Sequence, residues 1–198
     1  RFDRSITANT MHRLAQESLL SVMQKAGYGV SFTHQEAIDA LVKHSCRPWF
    51  DVIEYVLRDV LNIALGNRDN HGRNTAIHRY GDHIGLTPLF DFAPMYLDQD
   101  AIARSAVWRS LEKNGIPNYP VILSELCDQY ETISSHLPDI LNRLTRFVNQ
   151  FSHFSSIALS CGVDPQIIAE RSSYISHLDE LMKESLSVMN QKMKNRAK

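Results

Sequence analysis

The feature that most constrains the fold is a long apolar run that begins at Pro48 and ends at Gly66. Proline is well tolerated in the first turn of a helix, and glycine favours the position just after a helix ends. The apolar residues of this run recur at helical spacing and cover nearly its whole circumference: Trp49, Ile53, Val56, Leu57, Val60, Leu61, Ile63 and Leu65. A helix with apolar residues on most sides must be buried. The sequence therefore predicts a mainly α-helical fold around this central helix.

Further helices are predicted on both sides of the central one. An apolar stripe predicts a helix from about Thr10 to Ala26, ended by Gly27 and Gly29. Thr33, followed three residues later by Glu36, forms a capping-box pattern that opens a helix to about His44. After an irregular region, the helical pattern returns at 121–136, at 138–160 and from 164 onward.

Composition limits the class of protein and its compartment. The chain has 198 residues, of which 43% are hydrophobic and 22% charged, which is typical of one soluble globular domain. Its net charge of −1 gives no overall basic field for nucleic-acid binding. The three cysteines are widely spaced, which favours a reducing, cytoplasmic location. Charged residues interrupt the run from Pro48 to Gly66, and no uninterrupted apolar run approaches the roughly 20 residues of a membrane-spanning helix, so we expect no membrane association.

A polar loop follows directly after the central apolar run. It contains Asp69 and, five residues later, Asn74, and a second carboxylate, Asp91, follows after a short β segment. Transfer of a γ-phosphoryl group needs a carboxylate to orient the acceptor hydroxyl, and Mg²⁺ held by hard oxygen ligands. The spacing of these three side chains therefore predicts a phosphoryl-transfer site.

A short β-hairpin is predicted between the loop and Asp91. Residues 75–79 and 83–86 have strand composition, and they flank Tyr80, Gly81 and Asp82, which favour a turn. Such a hairpin would set the distance between Asn74 and Asp91.

Each polar residue of the loop also has a simpler interpretation. Asp and Asn are common in turns because their side chains bond nearby backbone groups. His71 would then brace the loop through a backbone carbonyl, or it would bind a metal with His78 or His83. No tight His/Cys spacing supports a zinc site.

The motifs together resemble those of the HipA-like serine/threonine kinases, which are the toxins of bacterial toxin–antitoxin systems. The resemblance is carried by Arg1-Phe2-Asp3-Arg4, by Gln16-Glu17, by the loop from Asn67 to Asn74 and by the segment from Leu86 to Asp91. It covers residues 1–96 by motif and the remaining helices by general pattern.

The resemblance implies a helical C-terminal kinase lobe over residues 1–198, with the hairpin beside its catalytic loop. The loop would be 66–74, the hairpin 75–87, the metal-binding segment 88–96 and the helical remainder 120–195. Asp69 would be the catalytic base, and Asn74 and Asp91 would bind Mg²⁺. The residues implied to contact ATP are Arg1, Phe2, His71, Gly72, Arg73, Asn74, Phe90 and Asp91. Arg73 stands where the family often has Lys, and the chain has Asp91-Phe92-Ala93 in place of Asp-Phe-Gly.

The resemblance also implies a substrate and partners. The substrate would be a cytosolic protein, by family expectation an aminoacyl-tRNA synthetase, whose phosphorylation arrests growth and leads to persistence. The partner would be a HipB-like helix-turn-helix antitoxin, through which any DNA contact would be indirect. A kinase also needs a glycine-rich loop and a strand lysine. Since neither precedes Asp69, we expect an N-terminal β-rich lobe outside this chain and no activity from the chain alone.

Two other functional classes stay open on the sequence. Lipid kinases and antibiotic kinases use a similar arrangement of Asp, Asn and Asp, and the loop has some resemblance to lipid-kinase loops. A non-catalytic helical interaction domain that keeps the loop for structure is the third hypothesis.

Overall fold

The computed structural model describes residues 3–27, 29–98 and 103–196. Its helices are α1 (Leu19–Val22), α2 (His34–His44), α3 (Pro48–Leu65), α4 (Tyr119–Gln129), α5 (Glu131–Ser134), α6 (Leu137–Phe151), α7 (Phe154–Ser160) and α8 (Pro165–Arg196). Its strands are β1 (Arg4–Ile6), β2 (Met11–Arg13), β3 (Ala15–Ser18), β4 (Phe32–Thr33), β5 (Ala76–Tyr80), β6 (His83–Leu86), β7 (Ala106–Val107), β8 (Glu112–Lys113) and β9 (Ile116–Pro117). The mainly α-helical class with small sheets is confirmed.

The chain divides into two compact units. One contains the residues up to Val56 together with Arg68–Trp108, and the other contains Leu57–Asn67 and everything from Arg109 onward. Helix α3 contributes its first half to the former and its second half to the latter. The single lobe over 1–198 stays a prediction. None of the helices in the described residues is long and apolar enough to cross a membrane.

The first unit contains the predicted hairpin, which is confirmed. Strands β5 and β6 pair antiparallel, with Tyr80 opposite His83, so Gly81 and Asp82 form the turn. Gly81 has a φ of +60°, a conformation that glycine adopts without strain. The hairpin is part of a three-stranded sheet, because β3 pairs with the other edge of β5.

The helix predicted over Thr10–Ala26 is wrong. Strands β2 and β3 occupy seven residues of this stretch, and only the four residues of α1 are helical. In the structure β3 forms a ladder with β5 that places Ala15 opposite Arg79 and Ser18 opposite Ala76. This long-range pairing overrides the local helical periodicity. Ser18 begins α1 as its N-cap by accepting a hydrogen bond from the Ser21 N–H at 3.2 Å.

Helix α2 begins where the capping box predicts. The Thr33 hydroxyl oxygen accepts from the Glu36 N–H at 3.2 Å, and a Glu36 carboxylate oxygen accepts from the Thr33 N–H at 2.7 Å. Glu36 also forms an ion pair with Lys25 at 2.8 Å. The ion pair and the Thr33 N–H lower the pKa of Glu36 from 4.5 to about 2.

The second unit is a helical assembly around α8, against which α4, α6 and α7 pack. This helix buries five apolar residues that lie at helical spacing: Ile168, Ile175, Leu178, Met182 and Met189. Two of the predicted helices are each divided in two. Tyr130 separates α4 from α5, and Ser152 and His153 separate α6 from α7.

Candidate active site

The end of α3 fixes where the polar loop begins. Gly66, with a φ of +69°, donates its N–H to Ile63 O at 3.2 Å, and Asn67 donates its N–H to Asn62 O at 2.8 Å. These are the two bonds of a Schellman motif, which satisfies the last carbonyls of a helix. The buried side-chain amides of Asn62 and Asn67 add a third bond at 2.8 Å. The helix therefore stops at a defined residue, immediately before the loop.

An arginine of the second unit also binds the end of α3. Arg171 of α8, which is only 8% exposed, donates from Nε to Ala64 O at 3.0 Å and from Nη2 to Ile63 O. Its guanidinium carbon lies 3.8 Å from the ring centroid of Tyr174. A buried cation is stable here because helix carbonyls carry partial negative charge. The sequence patterns did not identify Arg171, which lies more than a hundred residues from its partners.

The loop itself is organised around the backbone carbonyl of Asp69. This oxygen accepts from the His71 N–H at 2.8 Å and from the side-chain Nδ2 of Asn74 at 3.0 Å. The Asn74 N–H in turn donates to His71 O at 2.9 Å. Asn74 is buried, and these bonds connect its side chain and backbone to the backbone carbonyls of Asp69 and His71.

The carboxylate of Asp69 remains available to a ligand. One third of the side chain, 33%, is exposed, and the Nε2 of His71 lies 3.8 Å from Oδ1. His71 Nδ1 accepts from the Arg73 N–H at 3.3 Å, which places the proton of a neutral imidazole on Nε2. His71 therefore braces the loop through a backbone N–H, whereas the sequence predicted a carbonyl partner.

Two other loop residues hold neighbouring segments of the first unit. Gly72 O accepts from the Leu20 N–H at 2.9 Å, and a Cβ at Gly72 would lie only 3.2 Å from Leu20 Cβ and from Phe32 Cε1. A larger residue at this position would force these neighbours to move by a few tenths of an ångström. Arg73 Nη2 donates to Gly27 O at 2.6 Å. Contact of Gly72 and Arg73 with nucleotide phosphates stays a prediction.

Asp91 follows β6 in an exposed position and has a φ of +53°. Such a left-handed conformation is uncommon for a residue other than glycine, and it recurs at ligand-binding sites. Among the described residues it forms no hydrogen bond or ion pair, so its carboxylate is available. Phe90 beside it is half-buried. Arg1 and Phe2, also predicted to contact nucleotide, lie outside the described residues.

The donor set of Asn74 and Asp91 fits Mg²⁺. Because the Nδ2 of Asn74 is bonded to Asp69 O, its Oδ1 is the free end of the amide. An amide oxygen and a carboxylate are the hard ligands that Mg²⁺ takes from proteins, with water and phosphate completing its shell. Across the described residues there is no cluster of three His, Cys, Asp or Glu side chains that would hold another metal.

A cavity of about 170 Å³ opens beside the loop within the first unit. It is lined by four of the predicted site residues, Asp69, His71, Gly72 and Arg73, but not by Asn74, Phe90 or Asp91. Its other lining residues are Leu20, Gly27, Gly29, Val30, Arg68, Ala103 and Ser105. Arg68 precedes Asp69 in the sequence, and this adjacency was the signal that could have identified it.

Comparison with known proteins identifies the family. The sequence matches the family model of the HipA-like C-terminal domain over residues 1–175. A solved chain from the Shewanella oneidensis MR-1 toxin–antitoxin complex of HipA, HipB and operator DNA is similar, with 15% identity and a TM-score of 0.49. The match covers 96% of this chain and 47% of the Shewanella chain. This chain therefore spans about half the length of the solved chain that it matches. No curated protein matches. The chain belongs to the HipA-like C-terminal domain family.

Proposed function

We propose that this chain is the catalytic part of a HipA-like serine/threonine protein kinase that uses ATP and Mg²⁺. The observation that carries the proposal is the bond from Asn74 Nδ2 to Asp69 O at 3.0 Å. This one contact connects the backbone of a candidate base to the side chain of a candidate metal ligand, and it leaves Asn74 Oδ1 without a hydrogen bond among the described residues.

In the proposed reaction, Asp69 orients the acceptor hydroxyl and accepts its proton. The acceptor oxygen bonds to the γ-phosphorus, the bond from that phosphorus to the bridging oxygen breaks, and ADP leaves. Asn74 and Asp91 would hold Mg²⁺, which would neutralise charge on the phosphates. The remaining proposed nucleotide contacts are Arg1, Phe2, His71, Gly72, Arg73 and Phe90.

Family membership supports the wider part of the proposal. The complete protein would have a β-rich lobe that grips the nucleotide, because a kinase needs a lysine and a phosphate-covering loop from such a lobe. The substrate would be a cytosolic protein, by family expectation an aminoacyl-tRNA synthetase, and its modification would arrest growth. A HipB-like antitoxin would neutralise the toxin and would make the contact with DNA.

The test compares the full-length protein with two variants in the presence of radiolabelled ATP. Asp69→Asn keeps the shape of the side chain but cannot accept a proton, so we expect phosphorylation to fall by about 10²-fold or more. Asp82→Asn, at the exposed hairpin turn, removes the same charge and should retain activity. Equal activity of Asp69→Asn and wild type would reject the catalytic role.

The acceptor is tested separately with the same enzyme. Proteins, lipids and aminoglycoside antibiotics are incubated with labelled ATP, and the products are separated. Labelled serine or threonine in a protein supports the proposal, whereas label on a lipid or an antibiotic supports the corresponding alternative. Growth arrest that persists unchanged in the Asp69→Asn variant would favour a non-catalytic interaction domain.

A further inference from the structure

The cavity beside Asp69 is lined by an arginine, Arg68, that has no ionic partner among the described residues. Arg68 is exposed and lines the cavity, and across the described part of the chain it forms no hydrogen bond or ion pair. The other arginine of the lining, Arg73, donates to Gly27 O. Among the described lining residues Asp69 is the single carboxylate, so the guanidinium groups outnumber it.

The lining of this cavity also includes a serine hydroxyl, that of Ser105. The Oγ of Ser105 is buried and has no hydrogen-bond partner among the residues that the structure describes. A buried hydroxyl without a partner loses the hydrogen bonds that it would make in water. Rotation of the serine side chain to another staggered position changes the direction of this donor. Arg68 and Ser105 therefore offer donors to one small cavity whose lining leaves both without an acceptor.

We propose that Arg68 and Ser105 form an anion subsite for a carboxylate or phosphate group on the acceptor segment, close to the hydroxyl that Asp69 orients. This inference rests on the proposed kinase function. A guanidinium binds both groups through paired N–H donors, and the serine hydroxyl adds one further bond. The substrate class is thus a serine or threonine with an acidic or phosphorylated neighbour.

The proposed nucleotide site borders this cavity, because its contacts His71, Gly72 and Arg73 also line the cavity. Asn74 and Asp91, the proposed metal ligands, do not line it, whereas Asp69, the residue that would orient the acceptor, does. The phosphates bound to Mg²⁺ would lie at Asn74 and Asp91, outside the lining of the cavity. The volume of about 170 Å³ is also below the range of about 300–1,000 Å³ that small-molecule and cofactor pockets occupy. It suits one side chain of a peptide.

The test uses peptides and the full-length protein. Each peptide has one acceptor serine, with glutamate, phosphoserine or glutamine placed at each neighbouring position. Binding is measured by fluorescence polarisation without nucleotide, and kcat/KM is measured with ATP. We expect glutamate or phosphoserine at one position to improve binding and kcat/KM by about tenfold over glutamine, as a charge-assisted hydrogen bond provides.

Two variants of cavity residues, and one control variant outside the cavity, test whether this preference for acidic peptides arises in the cavity. Arg68→Gln should lower the ratio of kcat/KM for the acidic peptide to that for the glutamine peptide from about tenfold to about one. Arg146→Gln removes an exposed arginine of α6 outside the cavity and should keep the advantage. Ser105→Ala should reduce it partly, because one neutral hydrogen bond is weaker than an ionic one.

The outcomes distinguish this inference from the kinase proposal. An advantage for glutamate shows that a carboxylate suffices, and an advantage for phosphoserine alone shows a substrate that is already phosphorylated; both support the subsite. Equal binding of acidic and glutamine peptides, or an advantage that survives Arg68→Gln, would overturn it. If no peptide is phosphorylated but acidic peptides still bind through Arg68, the kinase proposal fails and the subsite stands.

Discussion

The side-chain amide of Asn74 donates a hydrogen bond to the backbone carbonyl of Asp69 at 3.0 Å, across five residues of the loop. This bond uses the nitrogen end of the amide and leaves its oxygen end for a metal. Asn74 therefore has two separate roles, one in the shape of the loop and one in the proposed chemistry. Substitutions at this position can separate them.

We predict that Asn74→Asp and Asn74→Ala both lower the free energy of unfolding by about 1–2 kcal/mol, because Asp69 O loses a buried donor. The aspartate retains an oxygen ligand for Mg²⁺, and the alanine does not. Phosphorylation should therefore be greater in Asn74→Asp than in Asn74→Ala. Urea unfolding and labelled-ATP assays of the full-length protein measure the two effects.

Asn70→Ala is the matched control, because Asn70 lies in the same loop and is half-buried, and no hydrogen bond to it is found among the described residues. It should change stability by less than about 0.5 kcal/mol. If Asn74→Asp were as stable as the wild type, the bond from Asn74 to Asp69 would not stabilise the loop.

We predict that a side chain at Gly72 lowers the free energy of unfolding. In Gly72→Ala the new methyl group would meet Leu20 Cβ and Phe32 Cε1 at 3.2 Å, so these neighbours must move by a few tenths of an ångström. Overpacking of this kind costs about 1–3 kcal/mol. Gly72→Val should cost more, and thermal unfolding of the two variants gives the order. Equal stability of wild type and Gly72→Val would contradict the close packing.

The parts of the fold that follow from neighbouring residues were predictable. Pro48 and Gly66 mark the ends of α3, and Thr33 with Glu36 marks the start of α2, because capping depends on residues within one turn. The hairpin from β5 to β6 was predictable for the same reason. Its turn residues and its strands are adjacent in sequence.

The parts of the fold that the sequence did not predict depend on contacts between distant segments of the chain. The pattern over Thr10–Ala26 fits a helix when it is taken alone, but β5 supplies a strand partner for Ala15–Ser18. The site residues Asp69 and Asn74 could be proposed from their spacing. The cavity that joins Asp69 to Ser105, and the left-handed backbone of Asp91, required the folded chain.

We predict that Arg171→Met lowers the free energy of unfolding by about 2–3 kcal/mol. Methionine preserves much of the buried volume, but the carbonyls of Ile63 and Ala64 lose charge-assisted donors. Arg171→Lys should restore only part of the loss, since an ammonium group lacks the planar fork that reaches both oxygens. Arg146→Met, on the exposed side of α6, is the control and should stay within about 0.5 kcal/mol of wild type. Full rescue by lysine would mean that charge alone stabilises the helix end.

Glu36 gives the structure a dependence on pH that has a definite direction. The ion pair with Lys25, and after it the Thr33 N–H, lower the pKa of this carboxyl from 4.5 to about 2. A lowered pKa means that the folded state favours the ionised form. Its stabilising contribution is therefore complete above about pH 4.5, declines as the pH falls and is lost near pH 2.

We predict that Glu36→Gln lowers the free energy of unfolding at pH 7 by about 0.5–1 kcal/mol, a small value because 40% of the side chain is exposed. The difference from wild type should shrink between pH 4.5 and pH 3 and should also shrink in 1 M salt, which screens the pair. Urea unfolding at each pH measures it, and Glu180→Gln, on the exposed side of α8, is the control. A difference in stability that stays constant from pH 7 to pH 3 would show that the charge of Glu36 does not stabilise this end of α2. The capping bonds of Glu36, which glutamine partly retains, would then account for the whole effect.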